Sequence, residues 1–216
     1  MTIPIVMAIA GDAVLGLVAS LARPGGNITG STFFNPDLAA KRLELLRETL
    51  PRVTRVAALM NPDNPAMGPT RRAMEPAAQA LKLDLQLFDV RGPADFEGAF
   101  TAMAAKRIGG VVVVEDGMIN VNVAVIAGLA AKTRLPAIGL PELAEAGGLM
   151  AYGVNYSDAY RHAAVFVDKI LKGAKPGDLP IERAAKFETV LNLKTAKALG
   201  IKFPQSILVR ADRVIE

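Results

Sequence analysis

The sequence predicts an α/β protein built on a parallel, doubly wound sheet, and three observations carry that prediction. Short runs rich in β-branched residues recur along the chain, amphipathic segments separate them, and Gly or Pro stands at the junctions. Alternating strand and helix order selects a parallel sheet with helices on both faces. The run "VVVV" at 111–114 is apolar on both sides of a pleat, as a strand covered on both faces must be.

Taken in order, "IPIVMAI" (3–9), "VTRVAALM" (53–60), "LDLQLFDV" (83–90), "GGVVVVE" (109–115), "LPAIGL" (135–140) and "GGLMAYG" (147–153) read as strands. Segments 37–50, 69–82, 94–107, 120–133 and 141–146 read as the intervening helices. Pro51 and the Gly109-Gly110 pair follow two of them as ordinary stops. A further helix is expected over 157–172, with Ser157 as N-cap and Gly173 just past its end. Its apolar face is expected to comprise Tyr160, Ala163, Ala164, Val167, Ile170 and Leu171. A polar connector, "AKPGDLPIERAAK", leads to a strand at "FETVLNL", then a helix, a break and a short second helix.

Composition narrows the function. With 216 residues, 51% of them hydrophobic, the chain can bury a substantial core. The 25 Lys and Arg are scattered among 21 Asp and Glu, so the net charge of +4 marks a solvated surface. No basic stripe or nucleic-acid motif appears, and no nucleic acid is expected as partner. The absence of Cys removes thiol nucleophiles, disulfides and Cys-based metal sites. Apolar runs fall short of the roughly 20 residues that span a bilayer. "MTIPIVMAIAG" lacks the basic start of a signal peptide, so no export signal is expected within this chain.

No GxSxG, GxGxxG, Walker loop or HExxH occurs. The single histidine, His162, is expected at a helix surface or boundary. No metal site and no cofactor are expected. Polar residues do collect at predicted strand ends: Asp12 after the first strand, Asn61, Asp63 and Asn64 after the second, Glu115 and Asp116 after the fourth, and Tyr152, Asn155 and Asp158 at the sixth. Each alone is an ordinary turn or cap residue. Together they fall on one edge of one sheet, where open parallel sheets bind ligands.

At these residues the chain resembles a known family. "IPIVMAIAGDAVLGLVASLARPGGNITGST", then "KRLELLRETLPRVTRVAALMNPDNP", and the C-terminal stretch from "RLPAIGLPELAEAGGLMAYGVNYSD" to "KTAKALGI" are similar to substrate-binding proteins of ABC transporters. These have the type I periplasmic-binding fold, and the similarity is to the tryptophan/tyrosine-type or uncharacterised uptake subfamily. "SLARPGGNITG" and "DKILKGAKPGDLP" are its most specific phrases. The resemblance implies an export signal and roughly 100 residues of the first lobe ahead of "IPIV", which this chain does not show. It therefore implies a first-lobe remnant at 1–34, a second α/β lobe at 35–153, a first-lobe helix within 154–180, and a C-terminal crossover with helices at 181–216.

What the resemblance implies for function is capture of a small solute in an inter-lobe cleft, without chemistry, for an ABC permease of the inner membrane. A periplasmic or extracytoplasmic location goes with it. Asp12 matches a first-lobe contact, Asn61 and Asn64 second-lobe contacts, Asp116 the loop after "VVVV", and Tyr152 with Asn155 the crossover. Glu115 and Asp116 either meet the ligand or cap the next helix, with Asp116 favoured as the contact. Amino-acid-binding members often carry serines where this chain has "NPDNP", which counts against an aromatic amino acid; the solute expected is an amino acid or small carboxylate. An incomplete first lobe would leave apolar faces of 3–9 and 157–172 uncovered and favour self-association. Two other readings remain: the sensor domain of a regulator, and an enzyme drawing an acid/base pair from Asp12, Glu115 and Asp116.

Overall fold

The valine- and alanine-rich runs form the centre of a parallel sheet. A computed structural model describes residues 2–11, 16–184 and 186–216, so Asp12 lies outside the described residues. The chain divides into two units. Unit 1 comprises Met1–Asn35 and Val154–Phe187, and unit 2 comprises Pro36–Gly153 and Glu188–Glu216.

In unit 2 the strands are β3 (Arg55–Met60), β4 (Asp84–Asp89), β5 (Gly110–Val113), β6 (Ala137–Gly139), β7 (Met150–Val154), β9 (Phe187–Asn192) and β10 (Arg213–Ile215), ordered β10-β9-β7-β6-β5-β3-β4. Every pairing from β4 through β3, β5 and β6 to β7 is parallel, as is β9 with β10. Val56, Ala58, Met60, Val112 and Val114 belong to one core cluster. That cluster also holds Leu43 and Leu46 of α1 (Asn35–Thr49) and Met74 and Ala78 of α2 (Met67–Ala80). The alternate residues Ala57, Leu59, Val111 and Val113 are equally buried, so the second face is covered too. Beside it α3 (Asp95–Ala105) buries Phe96 and Phe100, and α5 (Val123–Lys132) buries Ile126. The expected single helix at 120–133 begins earlier and breaks at Asn122, giving α4 (Gly117–Val121) and α5.

The order matters more than the count. After β3 the chain moves outward to β4, then returns to the other side of β3 for β5 and continues to β6 and β7. Connections therefore leave β3 and β5 in opposite directions, and a crevice opens between their carboxyl ends.

Unit 1 has a three-stranded parallel sheet ordered β1-β2-β8: Ile5–Ala10, Ile28–Thr32 and Glu182–Arg183. Strand β2 was not expected, because "ITGST" has a single large apolar residue. Its hydroxyls replace apolar burial with bonds: Thr29 donates to the Leu179 carbonyl (2.9 Å) and Thr32 to that of Ala10 (2.9 Å). Gly30 is required there, with φ +128° and the site of a Cβ only 2.1 Å from the Met7 oxygen.

Helix α7 (Tyr156–Leu171) lies on this sheet, but two expectations fail. Its N-cap is Asn155, whose Oδ1 accepts from the Asp158 N–H at 2.9 Å, and Ser157 sits inside the first turn. Its buried residues are Ala159 and Phe166, whereas Tyr160, Val167 and Leu171 are exposed. The helix carries two apolar stripes, and the sheet takes the one bearing Phe166, leaving the Tyr160 phenol in solvent. At the C-terminus, the expected helix and short second helix are α8 (Leu193–Leu199) and α9 (Gln205–Leu208), after which β10, which was not expected, joins the sheet edge. No helix among the described residues is long and apolar enough to cross a membrane.

Candidate functional site

The loops leaving β3 and β5 meet at the crevice. In "NPDNP", Asn61 Oδ1 accepts from the Asp63 N–H (3.1 Å) and Asn64 Oδ1 from the Ala66 N–H (3.0 Å). These two local turns fix both carboxamides with their Nδ2 atoms towards Asp116. Asn64 Nδ2 donates to Asp116 Oδ2 at 2.8 Å, and Asn61 Nδ2 reaches both carboxylate oxygens at 3.3 Å. Asp116 also caps α4, accepting from the N–H groups of Met118 (2.9 Å) and Ile119 (3.4 Å). It is 8% exposed. Of the two roles left open for it, helix capping is visible here, and its oxygens are filled by protein donors.

Glu115 turns the other way, into the core. Its carboxylate pairs with the Arg42 guanidinium, Nη1–Oε2 2.7 Å and Nη2–Oε1 2.5 Å. Arg42 is wholly buried and spends its other donors on carbonyls, Nη1 on Val113 (3.2 Å) and Nε on Tyr152 (2.8 Å). A buried charge pair is tolerable only when further hydrogen bonds support it, and four of the five guanidinium hydrogens are placed in this way. The question of why a valine strand ends in two adjacent carboxylates is answered by alternation: one locks the core and the other faces the crevice.

The remaining expected residues separate. Tyr152 is half-buried on β7, two strands from β5, and packs against the unit 2 core. Asn155 belongs to unit 1, as the cap of α7. Unit 1 has its own pocket, lined in part by Ser31, Asn155, Asp158, His162, Glu182 and Lys186. Two ion pairs lie within it, His162 with Glu182 at 2.8 Å and Lys186 with Asp158 at 3.0 Å, and Arg183, which also lines it, stacks over the Phe34 ring. Among the described residues no group of acidic or imidazole side chains could hold a metal ion.

Two residues escaped sequence reasoning. Arg42 sits in "LAAKRLELL", and its one visible signal is a charge between the buried positions Ala39 and Leu46. Glu142, on α6 (Pro141–Glu145), has a buried Oε2 with no hydrogen-bond partner among the described residues. Burial pushes its carboxyl above the usual range, and the neighbouring carboxylates of Glu145, Glu188 and Glu115 add to the effect.

Known proteins share this architecture. The family model described as ABC transporter substrate binding protein matches residues 1–215. A tyrosine-binding protein of Clostridioides difficile is 25% identical over 203 residues, 93% of this chain; the chain spans 58% of that protein's length. The ABC domain from Streptococcus pneumoniae solved in complex with L-Trp is 28% identical, with a TM-score of 0.89 over 98% of this chain and 72% of that one. A conserved domain protein of Vibrio cholerae is 26% identical, with a TM-score of 0.89 over 99% and 72%. The resemblance seen in the sequence holds: the fold is of the type I periplasmic-binding kind, and the chain belongs to the ABC transporter substrate-binding protein family.

Proposed function

We propose that this chain captures a small amino acid-like solute for an ABC importer, with unit 2 presenting the crevice between β3 and β5 to it. The observation that supports the reading is the cluster of Asn61, Asn64 and Asp116 at the switch point of the sheet, where open α/β sheets take ligands. No salt bridge joins Asp116 to a Lys or Arg among the described residues, while Asp63 on the facing loop is paired with Arg91. The edge is thus locally negative, which favours a solute bearing an ammonium group over a purely anionic one. Asn61 and Asn64 each retain a second Nδ2 hydrogen for a solute acceptor. Asp116 then acts chiefly as organiser of both carboxamides.

Capture involves no bond making, so the solute is released unchanged to a permease of the membrane, and the protein works outside the cytoplasm. A named tyrosine-binding relative and a neighbour holding L-Trp make these two amino acids the first probes. Calorimetric titration with L-tryptophan, L-tyrosine, a panel of other amino acids and des-amino analogues tests the reading. Saturable binding is expected for at least one amino acid, is lost for its des-amino analogue, and weakens about tenfold or more in Asp116→Asn. Turnover of the bound compound, or tighter binding of the des-amino analogue, overturns it.

A further inference from the structure

The Arg42–Glu115 pair touches two places that differ in sequence by some forty residues and that the binding edge needs in register. Through Glu115 and the Val113 carbonyl, the guanidinium holds the end of β5, one residue before Asp116. Through Nε it holds the Tyr152 carbonyl, one residue before the end of the Pro36–Gly153 stretch of unit 2. That end residue, Gly153, leaves little room for a side chain: a Cβ there would lie 3.0 Å from Pro141 Cδ, 3.3 Å from Arg42 Nη2 and 3.5 Å from Glu115 Oε1. The pair is therefore packed directly against the backbone at the point where the chain passes into unit 1.

We infer that Arg42 and Glu115 are a positioning pair: one buried guanidinium couples the strand end bearing Asp116 to the strand end at Tyr152 and Gly153, so that the two move only together. Physical chemistry explains why arginine serves. Its planar fork satisfies a carboxylate with two parallel bonds and still offers hydrogens in other fixed directions. A lysine carries its three hydrogens on one nitrogen and cannot reproduce these four bonds in their separate directions. A hydrophobic pair of equal volume could fill the same space, but it would leave the Val113 and Tyr152 carbonyls unlinked. What the ion pair adds over such packing is direction, since both strand ends are referred to a single rigid group. Neither side chain need meet the solute. The coupling itself is independent of the proposed solute capture, and only its effect on affinity rests on that reading.

Hydrogen exchange on the 216-residue chain tests the coupling without any ligand. In Glu115→Gln, which keeps the shape and removes the charge, amides at 114–120 and at 152–154 are expected to exchange about tenfold faster or more, and to do so together. Amides of α3, remote from the pair, should change little. The double substitution Arg42→Met with Glu115→Leu replaces the pair by apolar volume and should show the same paired loosening in a chain that stays cooperatively folded. Loosening of one segment without the other, or of neither, in either folded variant overturns the inference. Titration with L-tryptophan runs alongside: weaker binding in Glu115→Gln supports both readings. If the parent chain binds no amino acid while the two segments still loosen together, the positioning pair stands and the functional reading falls.

Discussion

The two units solve the same folding problem with different materials. Unit 2 buries both faces of β3 and β5 under helices, so that Val56, Ala57, Ala58, Leu59, Val111, Val112 and Val113 are all fully enclosed. Unit 1 has three strands, one of them built on buried threonine and serine, and its helix α7 is anchored chiefly by Ala159 and Phe166. Outside that contact, unit 1 leaves Ile3, Ile5, Tyr160, Val167 and Leu171 exposed. Apolar burial is thus concentrated in the unit that carries the Asn61–Asn64–Asp116 cluster. Rigidity there is what a preorganised binding edge requires.

Paired truncations test the comparison with the largest effect. Phe96 on α3 of unit 2 and Phe166 on α7 of unit 1 are both enclosed. Either Phe→Ala change should cost about 3–5 kcal/mol by lost transfer and cavity terms. The distribution should differ. Phe96→Ala is expected to lower protection throughout unit 2, because one seven-stranded sheet ties its elements together. Phe166→Ala should release α7 and β1 while β3 and β5 keep their protection in hydrogen exchange. Equal loss of protection in both units after Phe166→Ala would mean that they fold as one, and the contrast drawn above would collapse.

The same contrast governs what could be read from the sequence. The strands of unit 2 announce themselves because a doubly covered strand must be apolar throughout, and "VTRVAALM" and "GGVVVVE" appear within a residue or two of β3 and β5. Strand β2 does not, because its buried groups are hydroxyls satisfied by carbonyls distant in sequence. On α7 the periodicity correctly indicates a helix but cannot choose between two apolar stripes, since only the sheet beneath decides which is covered. Three of the expected site residues meet because strand ends in a parallel sheet share an edge. Arg42 stayed hidden because charge in a helix ordinarily marks a solvated face, and its partner lies 73 positions away.

A smaller effect, on association rather than stability, sharpens the view of unit 1. Val167 and Leu171 lie one turn apart on the outer side of α7, and Leu171 is 82% exposed. Exposed apolar patches of that kind promote contact between molecules. Light scattering on this chain is expected to show a dimer or larger species at high concentration. Substituting Leu171→Lys should shift it towards monomer, with stability changed by no more than about 0.5 kcal/mol. A monomer at every concentration would show that these exposed residues are not sticky enough to matter.

The smallest expected effect concerns pH and returns to the edge of unit 2. Burial raises the Glu142 carboxyl above 4.5, so the native state holds this proton more tightly than the unfolded chain does. Its contribution is therefore fully present below 4.5 and is lost as pH rises through the folded value. Glu48 has the opposite sign. Hydrogen bonds from Ser206 and then Arg210 lower its carboxyl, so its contribution holds above 4.5 and fades as pH falls through the folded value. Glu48 is a third exposed, and solvent screens its pairing with Arg210. The Glu142 term should therefore dominate from weakly acid to neutral pH. Glu142→Gln mimics the protonated side chain. Its melting midpoint should match the parent near pH 4 and exceed it near pH 7. Thermal melts of both proteins across that range decide the point. A gap that stays constant with pH would mean that the buried Oε2 is relieved by water and that the crowding of carboxylates at this edge has no energetic consequence.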